Sequence, residues 1–362
     1  MSLPALKIGD LTSRIPIIQG GMGIGVSLSG LASAVAEQGG IGVIAGAMTG
    51  ISEPDASSDS AQADIRALKR EIQAARSKTD GVLGVNIMVA LNNYAHLVRT
   101  SIAEGIDVIF SGAGLPMDLP GYLTEGARTK LVPIVSSARA AALLCKKWFA
   151  RYSYLPDAFV VEGPMAGGHL GFKEEDLDNP KFALENLVSD VLETVNQIGA
   201  SHGKRIPVIA AGGIYTGEDI CRYLNMGVAG VQMGTRFVAT HECDADKAFK
   251  QAYVDAKEED LVVIKSPVGM PGRALRNPFI NDVSSGKKKP FRCPYHCIKT
   301  CDPENSPYCI SLALLCAKQG KLKNGFAFAG QNAYRVNEII SVKELIDTLR
   351  TEYESACSCR AA

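Results

Sequence analysis

The sequence predicts an α/β chain folded as a TIM (β/α)8 barrel, with a Cys-rich insertion near the C-terminus. Three observations predict it. Eight short runs rich in apolar and β-branched residues recur between residues 15 and 237. Each run is nearly continuously apolar, as parallel strands buried on both faces require. Patterns with helical spacing separate most of them. Alternation of β and α alone also allows an open doubly wound sheet. A dinucleotide-binding sheet of that kind carries G-x-G-x-x-G after its first strand. Here that turn reads Gly20-Gly21-Met22-Gly23-Ile24-Gly25 and misses the spacing, and no acidic residue closes a second strand at the expected place.

The strands, in order, are IPIIQGG (15–21), GIGVIAG (40–46), VLGVNIM (82–88), DVIFSGA (107–113), LVPIVSS (131–137), AFVVEGP (158–164), PVIAAGGI (207–214) and GVQMGTRF (230–237). Helical patterns follow them: LSGLASAVAEQG after the first, AQADIRALKREIQAARSK after the second, YAHLVRTSIAEG after the third. The link after the fourth, LPMDLPGYLTEG, is shorter and carries a weaker helical pattern. ARAAALLCKKWFARY, KFALENLVSDVLETVNQIGA, GEDICRYLNMG and DADKAFKQAYVDA complete the series. Gly40, Gly105 and Gly227 stand where a left-handed residue ends a helix.

Composition narrows the function. Apolar residues make up 46% of the 362-residue chain, enough for a large core. Lys+Arg and Asp+Glu are both 38, so the formal net charge is zero and nothing asks for nucleic acid as a partner. No apolar run reaches spanning length and the opening MSLPALKIGDLTSR has no signal-like core, so the reading is a soluble, cytoplasmic protein without membrane partners. The final Cys359-Arg-Ala-Ala imitates a prenylation box poorly and reads as a frayed tail.

In a barrel the eight strand ends share one mouth, where chemistry belongs. Those ends are crowded with glycine, as a wide, flat ligand approached by bare backbone would demand. Strands seven and eight end in Gly212-Gly213 and Gly234-Thr235, the loops between which barrels often seat phosphate. A flat ligand with one phosphate describes flavin mononucleotide (FMN). His169, one of five histidines, sits in EGPMAGGHLGF (162–172), where small neighbours suit a site better than a core. His96, His202, His241 and His296 read as structural or surface residues.

These segments carry a family resemblance. IIQGGMGIG, GVNIM, SGAG (111–114), PIVSS, VVEGPMAGGHLG, IPVIAAGGIYTG and GVQMGTRFV resemble the FMN-dependent nitronate monooxygenase (2-nitropropane dioxygenase) family, which includes flavin-dependent enoyl-acyl-carrier-protein reductases. The likeness spans about residues 12–275 and resumes at FAGQNAYRVNEIISVKELI (328–346). It implies an FMN site at Gly21, Met22, Asn86, Glu162, Gly167, Gly168, Gly212, Gly213, Gln232, Gly234 and Thr235, and a catalytic His169. Typical nitronate oxidisers have Ala-Pro before the first-strand methionine, whereas Gly20-Gly21-Met22 is similar to the enoyl reductases.

Two chemistries follow for a small-molecule substrate. In the first, His169 is base or hydrogen-bond donor to an alkyl nitronate that is oxidised with O2. In the second, NAD(P)H is co-substrate, the flavin reduces an enoyl thioester, and acyl carrier protein is a partner. A non-catalytic redox-sensing flavoprotein is the remaining reading. Homo-oligomerisation stays open.

Residues 266–326 interrupt the barrel pattern, giving expected units of 1–265 (FMN-binding barrel), 266–326 (inserted loop and Cys-rich segment) and 327–362 (C-terminal helix and tail packing on the barrel). SPVGMPGRALRNPFI reads as a loop over the mouth, whose Arg273 and Arg276 are candidates to meet a substrate phosphate or carboxylate, or else solvated surface residues. GKKKP marks an exposed joint. Ten cysteines are many for a reducing compartment, and five fall between Cys293 and Cys316. Their spacing is Cys293-x3-Cys297-x3-Cys301-x7-Cys309-x6-Cys316. Cys293, Cys297, Cys301 and Cys309 are the candidate ligands of a [4Fe–4S] cluster or zinc, with free buried thiols as the alternative and disulfides last. Cys316, in the apolar pattern SLALLCAK, reads as core.

Overall fold

The computed structural model of the chain describes residues 2–287 and 291–359. The tips of two sequence expectations, the Lys288–Pro290 joint and the Arg360–Ala362 tail, lie outside the described residues. Eight parallel strands form the centre: β1 Ile17–Gln19, β2 Gly42–Ala45, β3 Leu83–Met88, β4 Val108–Gly112, β5 Lys130–Val135, β6 Phe159–Glu162, β7 Val208–Ala211 and β8 Gly230–Met233. From β2 onward each pairs with its successor, and β8 pairs with β1 through Val231 and Ile17. The ring closes between β1 and β2, where Ile41 N–H donates to Ile17 O and Gln19 N–H to Ile41 O, both at 3.0 Å.

Alternation along the strands divides the core. Ile18, Val43, Val108, Phe110, Val160 and Ile209 fill the barrel, and the hairpin Leu6–Ile8/Leu11–Ser13 adds Leu6 and Ile8 to the same cluster. The other side chains, among them Ile17, Ile44, Val85 and Val161, join the outer core with the surrounding helices.

Those helices are α1 Ser29–Glu37, α2 Ser60–Arg76, α3 Tyr94–Ala103, α4 Ala138–Tyr152, α5 Leu184–His202 and α6 Gly217–Asn225. Local chemistry sets their ends. Asp59 caps α2, Ser137 caps α4, and Thr216 with Asp219 forms a capping box on α6. Gly105 and Gly227 adopt the expected positive φ, but after α1 it is Gly39 (φ +90°), not Gly40, that does so. After β4 a single 3₁₀ turn, Leu119–Tyr122, replaces a helix.

The eighth helical position holds a surprise. Helices α7 Thr235–Val238, α8 Lys247–Val254, α9 Pro278–Ser284 and α10 Ile310–Lys318 follow β8. Yet the element that packs against both α6 and α1 is α11, Val342–Cys359. A disulfide between Cys221 of α6 and Cys357 of α11 ties it there. Everything between α7 and α11 is an excursion. It includes a hairpin, Leu261–Lys265 with Pro271–Leu275, whose second strand pairs with Gly168–His169 to make a three-stranded antiparallel sheet. Among the described residues no helix is long and apolar enough to cross a membrane.

Candidate active site

The mouth of the barrel holds a cavity of about 310 Å³. All twelve residues expected at the flavin site and as catalytic group line it: Gly21 and Met22 after β1, Asn86 on β3, Glu162 ending β6, Gly167, Gly168 and His169 in the following loop, Gly212 and Gly213 after β7, and Gln232, Gly234 and Thr235 at β8. The excursion supplies the opposite wall, through Ile298, Ile310, Leu314 and Phe328.

Glycine is required at two of these points for different reasons. At Gly21 a Cβ would lie 2.4 Å from Asn86 Cβ, so the first loop can pass β3 only without a side chain. At Gly213 the backbone is left-handed (φ +89°) and a Cβ would come 2.9 Å from Met165 Cβ. Asn332 Nδ2 donates to Gly213 O at 2.6 Å, and Gly330 N–H donates to Thr235 Oγ1 at 3.1 Å. The closing segment therefore braces the β7 and β8 loops.

Polar groups that face the cavity have few partners. Gln232 Oε1 is buried with no hydrogen-bond partner. Glu162 stands at the end of β6, and burial pushes its carboxyl up to about 7. No Lys or Arg is among the described residues lining the cavity. Positive charge sits behind it, where the Arg236 and Arg335 guanidinium groups lie 4.7 and 4.4 Å from the ring centre of Tyr215, itself a lining residue.

His169 is fixed from two sides. Its Nε2 lies 2.8 Å from Ser266 Oγ, and its ring packs edge-on to Phe328 with centroids 5.0 Å apart. Burial pushes its pKa down to about 4, so the imidazole is neutral at pH 7. Sequence reading missed Ser266, which a turn brings here: Ser266 N–H donates to Met270 O at 3.0 Å. It also missed Phe328 and Asn332, although both lie in the FAGQNAYRV run that carries part of the resemblance.

One arginine expectation is corrected. Arg273 is buried and donates through Nη1 to Pro164 O and, at 2.9 Å, to Ala166 O. It staples the His169 loop to the hairpin instead of facing a ligand. Arg276 is exposed, as the surface alternative expected, and lines a hollow apart from the barrel mouth beside Asn277 and Leu322. Among the described residues no group of three or more His, Cys, Asp or Glu side chains is placed to hold a single metal ion. Cys293, Cys297, Cys301 and Cys309 nonetheless line one hollow, and His296, read as an ordinary surface residue, is in its wall.

Comparison with known proteins gives consistent findings. The profile of the family described as nitronate monooxygenase matches residues 5–352. A Mycobacterium tuberculosis (strain ATCC 25618 / H37Rv) protein named (3aS,4S,5R,7aS)-5-hydroxy-7a-methyl-1-oxo-octahydro-1H-indene-4-carboxyl-CoA dehydrogenase is 32% identical over 273 residues, 75% of this chain and 66% of that protein. The chain thus spans just under two thirds of that relative's length. A probable nitronate monooxygenase of Staphylococcus aureus (strain Newman) is 27% identical over 310 residues, 76% of this chain and 79% of its own. FabK from Thermotoga maritima superposes with a TM-score of 0.74 at 30% identity, over 96% of both chains.

Proposed function

The chain belongs to the nitronate monooxygenase family, and from that premise we propose that it is an FMN-dependent oxidoreductase that oxidises an alkyl nitronate with O2 at the barrel mouth. The observation that carries this reading is the neutral imidazole of His169, anchored by Ser266 on the wall of a glycine-lined cavity.

The residues present fit FMN. The backbone at Gly212-Gly213 and Gly234-Thr235 suits the phosphate, and Thr235 Oγ1, which accepts from Gly330 N–H, keeps its own hydrogen to donate. Gln232 Oε1 offers an unused acceptor to a ring N–H. FMN bound there supplies the redox chemistry. The protein's share is position and proton control. A base whose pKa lies near 4 is too weak to draw the α-proton from a neutral nitroalkane. It serves an anion that has already lost that proton, to which a neutral ring N–H donates a hydrogen bond. Ile298, Ile310, Leu314 and Phe328 give an alkyl chain an apolar wall and keep water out.

A second reading has its own support. The relative named as a carboxyl-CoA dehydrogenase and the Gly20-Gly21 pair favour a thioester substrate, with NAD(P)H as reductant and a carrier such as acyl carrier protein as partner. Anaerobic mixing separates the readings. Bleaching of the flavin by propionate-3-nitronate, followed by nitrite release on admitting air, is the expected result. Bleaching by NAD(P)H alone with loss of an enoyl chromophore replaces it with the reductase. Bleaching by neither returns the protein to a non-catalytic redox sensor.

A further inference from the structure

The hollow lined by Cys293, Cys297, Cys301 and Cys309 has a volume of about 210 Å³. Nothing in the proposed nitronate chemistry uses it. Four cysteines line this one space, and local contacts hold several of them. His296 is held at a left-handed φ of +44°, uncommon for a residue with a side chain, and its N–H donates to Cys293 Sγ at 3.4 Å. Cys297 Sγ lies 3.2 Å from Ser311 Oγ. Cys309 is the residue that precedes α10, at its N-terminal cap. The segment is also pinned to the barrel. Asn92 N–H donates to Cys297 O at 3.0 Å, Lys299 N–H to Ala90 O at 2.9 Å, and Lys299 Nζ to Val89 O at 2.8 Å.

Size decides what fits. A single metal ion needs several ligands gathered about one point, about 2.3 Å away for zinc thiolates, and no such group is found among the described residues. A cubane cluster spreads its four thiolates further apart around a larger body, and four cysteines are its full complement. N–H and O–H groups aimed at the sulfurs are the surroundings that tune such clusters.

We propose that Cys293, Cys297, Cys301 and Cys309 ligate a [4Fe–4S] cluster in this hollow. Its position gives the cluster a neighbour. Ile298, Ile310 and Ser311 line both the cysteine hollow and the barrel-mouth cavity, so one layer of residues separates the two. The site stands apart from the nitronate reading and does not rest on it.

The test is iron and acid-labile sulfide analysis of the full chain, purified anaerobically, reconstituted with iron and sulfide, desalted and treated with chelator. The wild type is expected to keep iron and sulfide in equal amounts, about four of each per chain. The double variant Cys297→Ser/Cys301→Ser is expected to fall to background, and Cys316→Ser, whose side chain does not line the hollow, to keep the full content. Zinc in place of iron, iron without sulfide, no metal in the wild type, or full content in the double variant would each overturn the proposal. The wild-type measurement decides even if the double variant does not fold.

Discussion

Nε2 of His169 and Oγ of Ser266 lie 2.8 Å apart although 97 positions separate them in sequence. The contact exists because the hairpin that carries Ser266 adds its second strand to Gly168–His169. Ser266 is buried and receives the Val268 N–H at 3.4 Å, so its hydroxyl has little freedom. One excursion strand thereby sets both the path of the His169 loop and the environment of the ring.

Removing that hydroxyl tests its positioning role. Ser266→Ala is expected to lower kcat by up to about tenfold, the worth of one net hydrogen bond, with flavin content and KM little changed. Ser266→Thr should restore most of the loss. A pH–rate profile identical in wild type and Ser266→Ala would show that the serine does not act through the imidazole.

For His169 itself the expected loss is larger. Removing a general acid–base or orienting group costs about 10²–10⁴-fold in turnover, so His169→Ala should keep its yellow colour and lose most nitronate oxidation. Wild-type turnover in that variant would take His169 out of the mechanism.

His169 and Glu162, both partly buried at the barrel mouth, make stability depend on pH in opposite senses. Burial holds His169 near 4 against an ordinary 6.5, so between those values only the unfolded chain binds the proton, and stability falls as the solution is acidified. Glu162 is held near 7 against 4.5, so the folded chain keeps its proton longer and stability falls as pH rises through that window. In flavin-free protein, Glu162→Gln is expected to raise Tm above pH 7 and to leave it unchanged below pH 4.5. Equal gains at both ends would show that the carboxyl is not ionising in the fold.

Gly213→Ala probes the loop expected to hold the phosphate. The left-handed φ and the 2.9 Å approach to Met165 Cβ predict a loss of about 1–3 kcal/mol in stability and weaker FMN binding. Fluorescence titration with FMN and thermal melting report the two effects separately.

The Cys221–Cys357 bond closes a loop over a sequence separation of 136. Cys357→Ser is expected to cost about 2–5 kcal/mol under oxidising conditions. With reductant present, wild type and variant should melt together. A gap that persists in reductant would assign the loss to packing at Cys357 instead.

The barrel was legible because burial on both faces writes each strand as an apolar run: seven of the eight runs contain the whole strand found, and the fifth misses only Lys130. The mouth was legible for a related reason: glycines at strand ends are costly unless a turn or a ligand needs them. Long-range pairing was not legible. Gly168–His169 is too short to show strand periodicity, so neither its partner strand nor Ser266 could be anticipated. Arg273 looked like a ligand group because its acceptors, Pro164 O and Ala166 O, are backbone atoms on a distant loop. The pattern at 244–256 forms a helix as read, α8, but the outer-ring place beside α1 belongs to α11, whose amphipathic face carries no label for its partner.

That substitution has a consequence for biosynthesis. During translation the eighth strand leaves the ribosome roughly a hundred residues before α11, so the nascent barrel waits with its seam between α1 and α6 bare while the cysteine segment is still being made. Chaperone dependence should therefore concentrate in that interval, and ribosome-stalled chains ending just before Val342 should be far more protease-sensitive than chains that have released α11.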